Sequence, residues 1–150
     1  MIVLGIDPSL SNFTAISSNG NREYQIKPKT RGVERLIEIR SKLDSMIMIE
    51  APDLVVLEGY SYCSVGLTYQ IGELGGIIRV RLKELGISEA RGNLLIVPPT
   101  KLKKFVTGKG NSKKDELMMR VLKRWGYESR NNDVADAYSL MRYGLDGGIK

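Results

Sequence analysis

Residues 2–20 read IVLGIDPSLSNFTAISSNG, and the way this stretch divides decides the fold class. Ile2 to Ile6 form an apolar run that stops at Asp7-Pro8. Hydrophobicity that is continuous rather than alternating marks a strand covered on both faces. Pro8 holds Asp7 extended and ends the ladder. Residues 12–18 supply a second strand, and Asn19-Gly20 is a hairpin turn signal. Residues 22–27 supply a third. Three strands joined by short turns predict an antiparallel meander that begins with a buried central strand.

Downstream the period changes. Val33, Leu36, Ile37, Ile39, Leu43, Met46 and Ile47 recur at helical spacing between Gly32 and Ile49. Pro52-Asp53 punctuates, and Leu54 to Leu57 form a second buried strand that ends at Glu58. Residues 65–85 read as a helix rich in glycine (Gly66, Gly72, Gly75 and Gly76), with Leu67, Ile71, Leu74 and Ile78 nearby. This composition implies close packing along one helix face. Residues 93–97 give a fifth strand closed by Pro98-Pro99. A short helix over 100–106 and a loop over 107–112 follow. Ser112 is the predicted N-cap of a helix reaching Trp125, with Gly126 at its end. Asn131 or Asn132 caps a last helix to about Arg142. No repeat or linker divides the chain, which predicts one α/β domain over residues 1–150. The final residues, 147–150, are predicted to fray.

Composition removes whole classes of chemistry. The 150 residues contain no histidine and one cysteine, Cys63. Ser-His-Asp and Cys-His nucleophiles, a structural zinc site and an internal disulfide are therefore excluded. Unpaired cysteine points to a reducing compartment. No apolar run reaches the length of a membrane span and the N-terminal residues lack a signal-peptide pattern, so a cytoplasmic location is expected. The net charge is +6, and it is concentrated. Positions 99–124 hold nine basic residues (Lys101, Lys103, Lys104, Lys109, Lys113, Lys114, Arg120, Lys123 and Arg124) against Asp115 and Glu116. The rest of the chain is close to neutral. A basic segment on a neutral body points to a polyanion partner, nucleic acid or an acidic membrane surface.

Two buried strands each end in a carboxylate, Asp7 and Glu58. A crossover connection would make those strands parallel neighbours and bring both acids to one sheet edge, where ligands of α/β sheets gather. Asp133 and Asp136 are three apart on the last predicted helix and share a face. Singly, each acid is an ordinary turn or cap residue. Together, four carboxylates repel one another, and divalent cations relieve that repulsion. Oxygen-only ligands favour Mg²⁺ or Mn²⁺, and two such ions about 3.5–4 Å apart suit in-line phosphodiester hydrolysis.

The motifs Ile-Asp7-Pro-Ser-Leu-Ser, Val-Leu-Glu58-Gly-Tyr and Asn-Asp133-Val-Ala-Asp136-Ala-Tyr, in that order and spacing, resemble the RuvC family of Holliday-junction resolvases over almost the whole chain. The resemblance implies an RNase H-like fold: a five-stranded mixed sheet, three strands antiparallel and then parallel strands, flanked by helices. It implies a homodimeric, metal-dependent endonuclease that cuts four-way DNA junctions by paired symmetric nicks. By position, Asp7, Glu58, Asp133 and Asp136 correspond to the family's metal ligands. Lys103 and Lys114 best match the basic residues beside the scissile phosphate, with Lys101, Lys104, Lys109 and Lys113 as further DNA contacts. The family places an aromatic on a base after the second acid, a role open here to Tyr60 or Tyr62. The glycine-rich helix corresponds to the one that packs against the partner subunit. Ser9 stands where the family usually has glycine, and the segment after Glu58 is shorter. Both departures point toward a phage-type member.

Three other readings remain. One is an RNase H-like nuclease for forks, flaps or RNA–DNA hybrids. Another is a DNA-binding module without catalysis. The third, a phosphate-binding kinase-like domain, would need a second lobe. The Gly108-Lys109-Gly110-Asn111-Ser112 loop misses the P-loop spacing, so no nucleotide cofactor is expected.

Overall fold

The computed structural model describes residues 1–60 and 68–147. Tyr62, Cys63, Gly66, Leu67 and the last three residues lie outside these. Five strands, β1 (Val3–Asp7), β2 (Phe13–Ser17), β3 (Arg22–Ile26), β4 (Leu54–Glu58) and β5 (Leu94–Val97), form one sheet in the order β3-β2-β1-β4-β5. β1 pairs antiparallel with β2, and β2 with β3; β4 runs parallel to both β1 and β5. The helices are α1 (Gly32–Glu50), α2 (Thr68–Glu84), α3 (Pro99–Thr107), α4 (Lys114–Trp125) and α5 (Asn132–Leu145), with a 3₁₀ turn at Glu89–Arg91. Among the described residues no helix is long and apolar enough to cross a membrane.

Strand alternation assigns each side chain to a layer. Leu4 and Ile6 of β1 and Val55 and Leu57 of β4 join Ile39, Leu43 and Met46 of α1 and Leu74, Ile78 and Leu82 of α2 in one core. Val3, Leu54 and Val56 face the other way, into a core built with α3, α4 and α5. Gly5 also belongs to that second face. A Cβ there would lie 2.3 Å from the Ala137 carbonyl oxygen and 2.4 Å from the Met141 nitrogen. α5 therefore rests directly on β1, and only glycine permits it. Asp7 and Glu58 continue the alternation of Val3–Gly5 and Leu54–Val56, so both acids belong to the α5 face.

Two local expectations are corrected. The β2–β3 hairpin has Ser17 opposite Arg22, which leaves a four-residue connection. Its left-handed residues are Gly20 (φ 69°) and Asn21 (φ 53°) rather than Asn19-Gly20. At α4 the N-cap is Lys113, not Ser112. Ser112 is buried and its hydroxyl has no partner among the described residues. Asn131, not Asn132, caps α5, its side chain accepting from the Val134 N–H at 2.9 Å.

Candidate active site

The parallel register pairs Ile6 with Leu57, so the next residues, Asp7 and Glu58, stand side by side at the carboxyl edge of the sheet. α5 begins over the same edge, bringing Asp133 in its first turn and Asp136 one turn on. The electrostatics reflect the convergence of the four acids. Burial pushes the Asp7 carboxyl well above the usual carboxylate range, and the charges of Glu58, Asp136 and Asp133 push it further. Glu58 is also raised, chiefly by burial and against the pull of Lys103 and Lys114. Asp136 is pushed up to about 7 by burial and by Glu58, again opposed by Lys114 and Lys103. Asp7 and Glu58 are close enough to share a proton, an interaction that raises the first and lowers the second. For all three raised acids burial is the largest cause, and repulsion among the carboxylates adds to it.

Asp133 has a separate partner. Asn12, in the connection between β1 and β2, donates from Nδ2 to Asp133 Oδ2 at 2.8 Å. Thr14, buried and opposite Asp7 in the β1–β2 register, donates from its hydroxyl to the Asn12 carbonyl at 3.2 Å. Sequence reading treats Asn12 as the start of a strand and misses it as part of the site, because its partner lies 121 positions away.

Among the described residues no three acids are drawn together tightly enough to hold an ion as they stand. The donor set is all oxygen, and the raised proton affinities of Asp7, Glu58 and Asp136 are a strain that a hard divalent cation would relieve. Asp7, Glu58, Asp133 and Asp136 thus fit such a cation in their chemistry.

The lysines divide. Lys103 on α3 and Lys114 at the start of α4 lie within electrostatic reach of Glu58 and Asp136. Lys101 instead sits over the Tyr143 ring, 5.8 Å from its centroid. That is about 15 Å along α5 from Asp133, at 1.5 Å rise per residue. Lys104, Lys109 and Lys113 are exposed. Arg124, also exposed, lies over Phe105 and Trp125 and donates to the Phe105 carbonyl at 2.7 Å.

Beyond Glu58, Tyr60 is 41% exposed. Its ring lies on α2 at Gly75, where a Cβ would come within 2.5 Å of the phenol oxygen. Pro8, Glu58, Tyr60, Leu74 and Arg79 help to line a cavity of about 170 Å³ beside the acids. On α2, Leu74 and Ile78 are buried in the sheet core, so they belong to intramolecular packing. The outer face of that helix carries Tyr69 and Val80, both exposed, with open space at Gly72 and Gly76.

No family profile matches the chain. A crossover junction endodeoxyribonuclease RuvC from Prochlorococcus marinus is 27% identical over 157 residues, covering 97% of this chain and 98% of that protein. Among solved structures, Thermus thermophilus RuvC superposes with a TM-score of 0.74 at 22% identity, over 98% of this chain and 97% of that one. The same protein in complex with a Holliday junction substrate gives a TM-score of 0.73 at 21% identity, over 94% and 90%. At this level of identity the superpositions show a shared fold.

Proposed function

We propose that this chain, a relative of the RuvC crossover junction endodeoxyribonucleases along nearly its whole length, resolves four-way DNA junctions by paired symmetric nicks. The observation that carries the reading is the convergence of four carboxylates at one sheet edge, with the proton affinities of Asp7, Glu58 and Asp136 raised and Lys103 and Lys114 close by. Asp7, Glu58, Asp133 and Asp136 are the residues that would hold metal. When bound, two Mg²⁺ ions, for which Mn²⁺ can substitute, lower the pKa of a water and offset charge on the leaving 3′ oxygen. No histidine is available for proton transfer, so the chain contributes ligands and charge. Lys103 and Lys114 draw the scissile phosphate to the acids and offset its charge. Lys101, Lys104, Lys109 and Lys113 hold flanking backbone, and Tyr60 or Tyr62 offers a ring to an unstacked base. A two-fold junction calls for two sites, which a homodimer supplies; the outer face of α2 is the surface that fits a second copy. The product is a nick with a 5′ phosphate, made in the cytoplasm.

The test is cleavage of an end-labelled four-way junction with Mg²⁺ or with EDTA, beside a linear duplex of the same arms, a Y-fork, a flap and an RNA–DNA hybrid. Paired nicks on the junction that vanish in EDTA are expected. Equal cutting of forks or hybrids would replace the substrate assignment. Tight binding without cleavage in Mg²⁺ or Mn²⁺ would reduce the protein to a DNA-binding module.

A further inference from the structure

Asp7 and Glu58 are fixed by neighbouring strands in register. Asp133 stands in the first turn of a helix, where a carboxylate has free side-chain rotation and several rotamers to choose from. One contact removes that freedom: the Asn12 amide at 2.8 Å from Asp133 Oδ2. The amide is itself held. The Asn12 carbonyl accepts from Thr14, and the Asn12 N–H donates to Ser9 Oγ at 3.4 Å. Its orientation is also determined, since the flipped amide would set Oδ1 against a carboxylate oxygen. Oδ1 is buried and has no partner among the described residues. The side chain therefore forgoes an acceptor contact and keeps its donor on Asp133. An amide donates without adding negative charge to a site that already holds four acids.

We propose that Asn12 is a positioning residue for Asp133: it holds one carboxylate oxygen toward the β1–β2 connection and leaves the other for a divalent cation. This inference rests on the metal-site reading above. Partners that orient metal ligands characteristically change metal affinity or activity by about 10–100-fold when removed.

Mn²⁺ binding to the full-length, metal-free protein, followed by the EPR signal of free Mn²⁺, tests it without reference to catalysis. Asn12→Ala is expected to weaken binding by about 10-fold. Its thermal melt in EDTA and its junction affinity in EDTA should match those of the unaltered protein. Asn12→Ser, which retains a donor, should recover part of the loss. In an Asp133→Asn background, Asn12→Ala should cause no further loss, because the two residues act as one unit. Should the alanine variant not fold, Asn12→Leu, close in size and without a donor, takes its place. Unchanged Mn²⁺ affinity in Asn12→Ala, or an additive loss in the double variant, would overturn the proposal. Failure of the unaltered protein to bind Mn²⁺ would instead overturn the metal-site reading, and this inference with it.

Discussion

Buried carboxylates lie at both ends of the sheet, and the two ends treat them in opposite ways. Glu50, the last residue of α1, is 2% exposed. It accepts from Ser17 Oγ at 2.5 Å, from Arg22 at 2.8 Å and from the Tyr24 hydroxyl. Burial alone would raise its pKa, yet Ser17, Tyr24 and the Arg22 charge together pull it below the usual range. At the other end, Asp7, Glu58 and Asp136 are raised. Their neighbours are chiefly other acids, with two lysines at the margin. Burial therefore does not mark a functional carboxylate. The mark is whether the fold supplies the donors an anion needs. Glu50 has them and is structural. In the β1/β4/α5 cluster Asn12 supplies a donor to Asp133, while Asp7, Glu58 and Asp136 stay raised, a deficit that a bound cation would meet.

The sharpest way to break this contrast is to neutralise one acid at each end. Asp7→Asn should lower junction cleavage by on the order of 10³-fold, since a metal site contributes several kcal/mol to the transition state and each 1.36 kcal/mol is tenfold. Junction binding in EDTA should be retained or improved. Near-normal turnover would remove Asp7 from the site.

The pH dependence of stability should have opposite signs at the two ends. For Asp136, with an unfolded value of 3.8 and a folded value of about 7, the folded state keeps a proton that the unfolded state has lost. Stability in EDTA should therefore fall as pH rises from 4 to 7, by up to about 4 kcal/mol at 1.36 kcal/mol per unit. Mg²⁺ at pH 8 should restore it. For Glu50 the folded pKa is lowered, so its contribution is present above 4.5 and is lost as pH falls through the folded value. Urea midpoints measured across this range check both signs. A metal-free protein that gains stability between pH 5 and 7 would contradict the cluster's part in the comparison.

Glu50→Ala should cost about 2–3 kcal/mol by leaving the Ser17 and Tyr24 hydroxyls unpaired, read as a shift in urea midpoint. Cleavage per folded molecule should not change. The smallest effects belong to the lysines. Lys103→Ala and Lys114→Ala should each reduce the slope of log affinity against log salt by about one. Lys101→Ala, at Tyr143, should change junction cleavage less than either.

Much of this was legible from residue order. Asp7 and Glu58 could be read because each closes an uninterrupted apolar run, and such runs fix both strand and burial. Asp133 and Asp136 could be read from helical spacing. Contacts that exist only once distant segments meet could not. Asn12 on Asp133 is one, and Tyr127 donating to Glu23 at 2.6 Å across 104 positions is another. The requirement for glycine at position 5 is equally invisible, because it comes from the backbone of α5. Turn and cap chemistry was half legible: the β2–β3 connection was anticipated, but its left-handed pair lies one residue later than Asn19-Gly20. The Ser112 hydroxyl was assigned a cap that Lys113 takes by backbone alone.

Gly5 lets α5 lie against β1, and α5 follows every strand in the order of synthesis. Once residues 1–97 have been synthesised all five strands exist, yet two of the four clustered acids, Asp133 and Asp136, are still to come. A nascent or truncated chain lacking α5 would present Asp7 and Glu58 without Asp133 and Asp136. On the metal-site reading proposed above, cutting would begin only once this helix has docked.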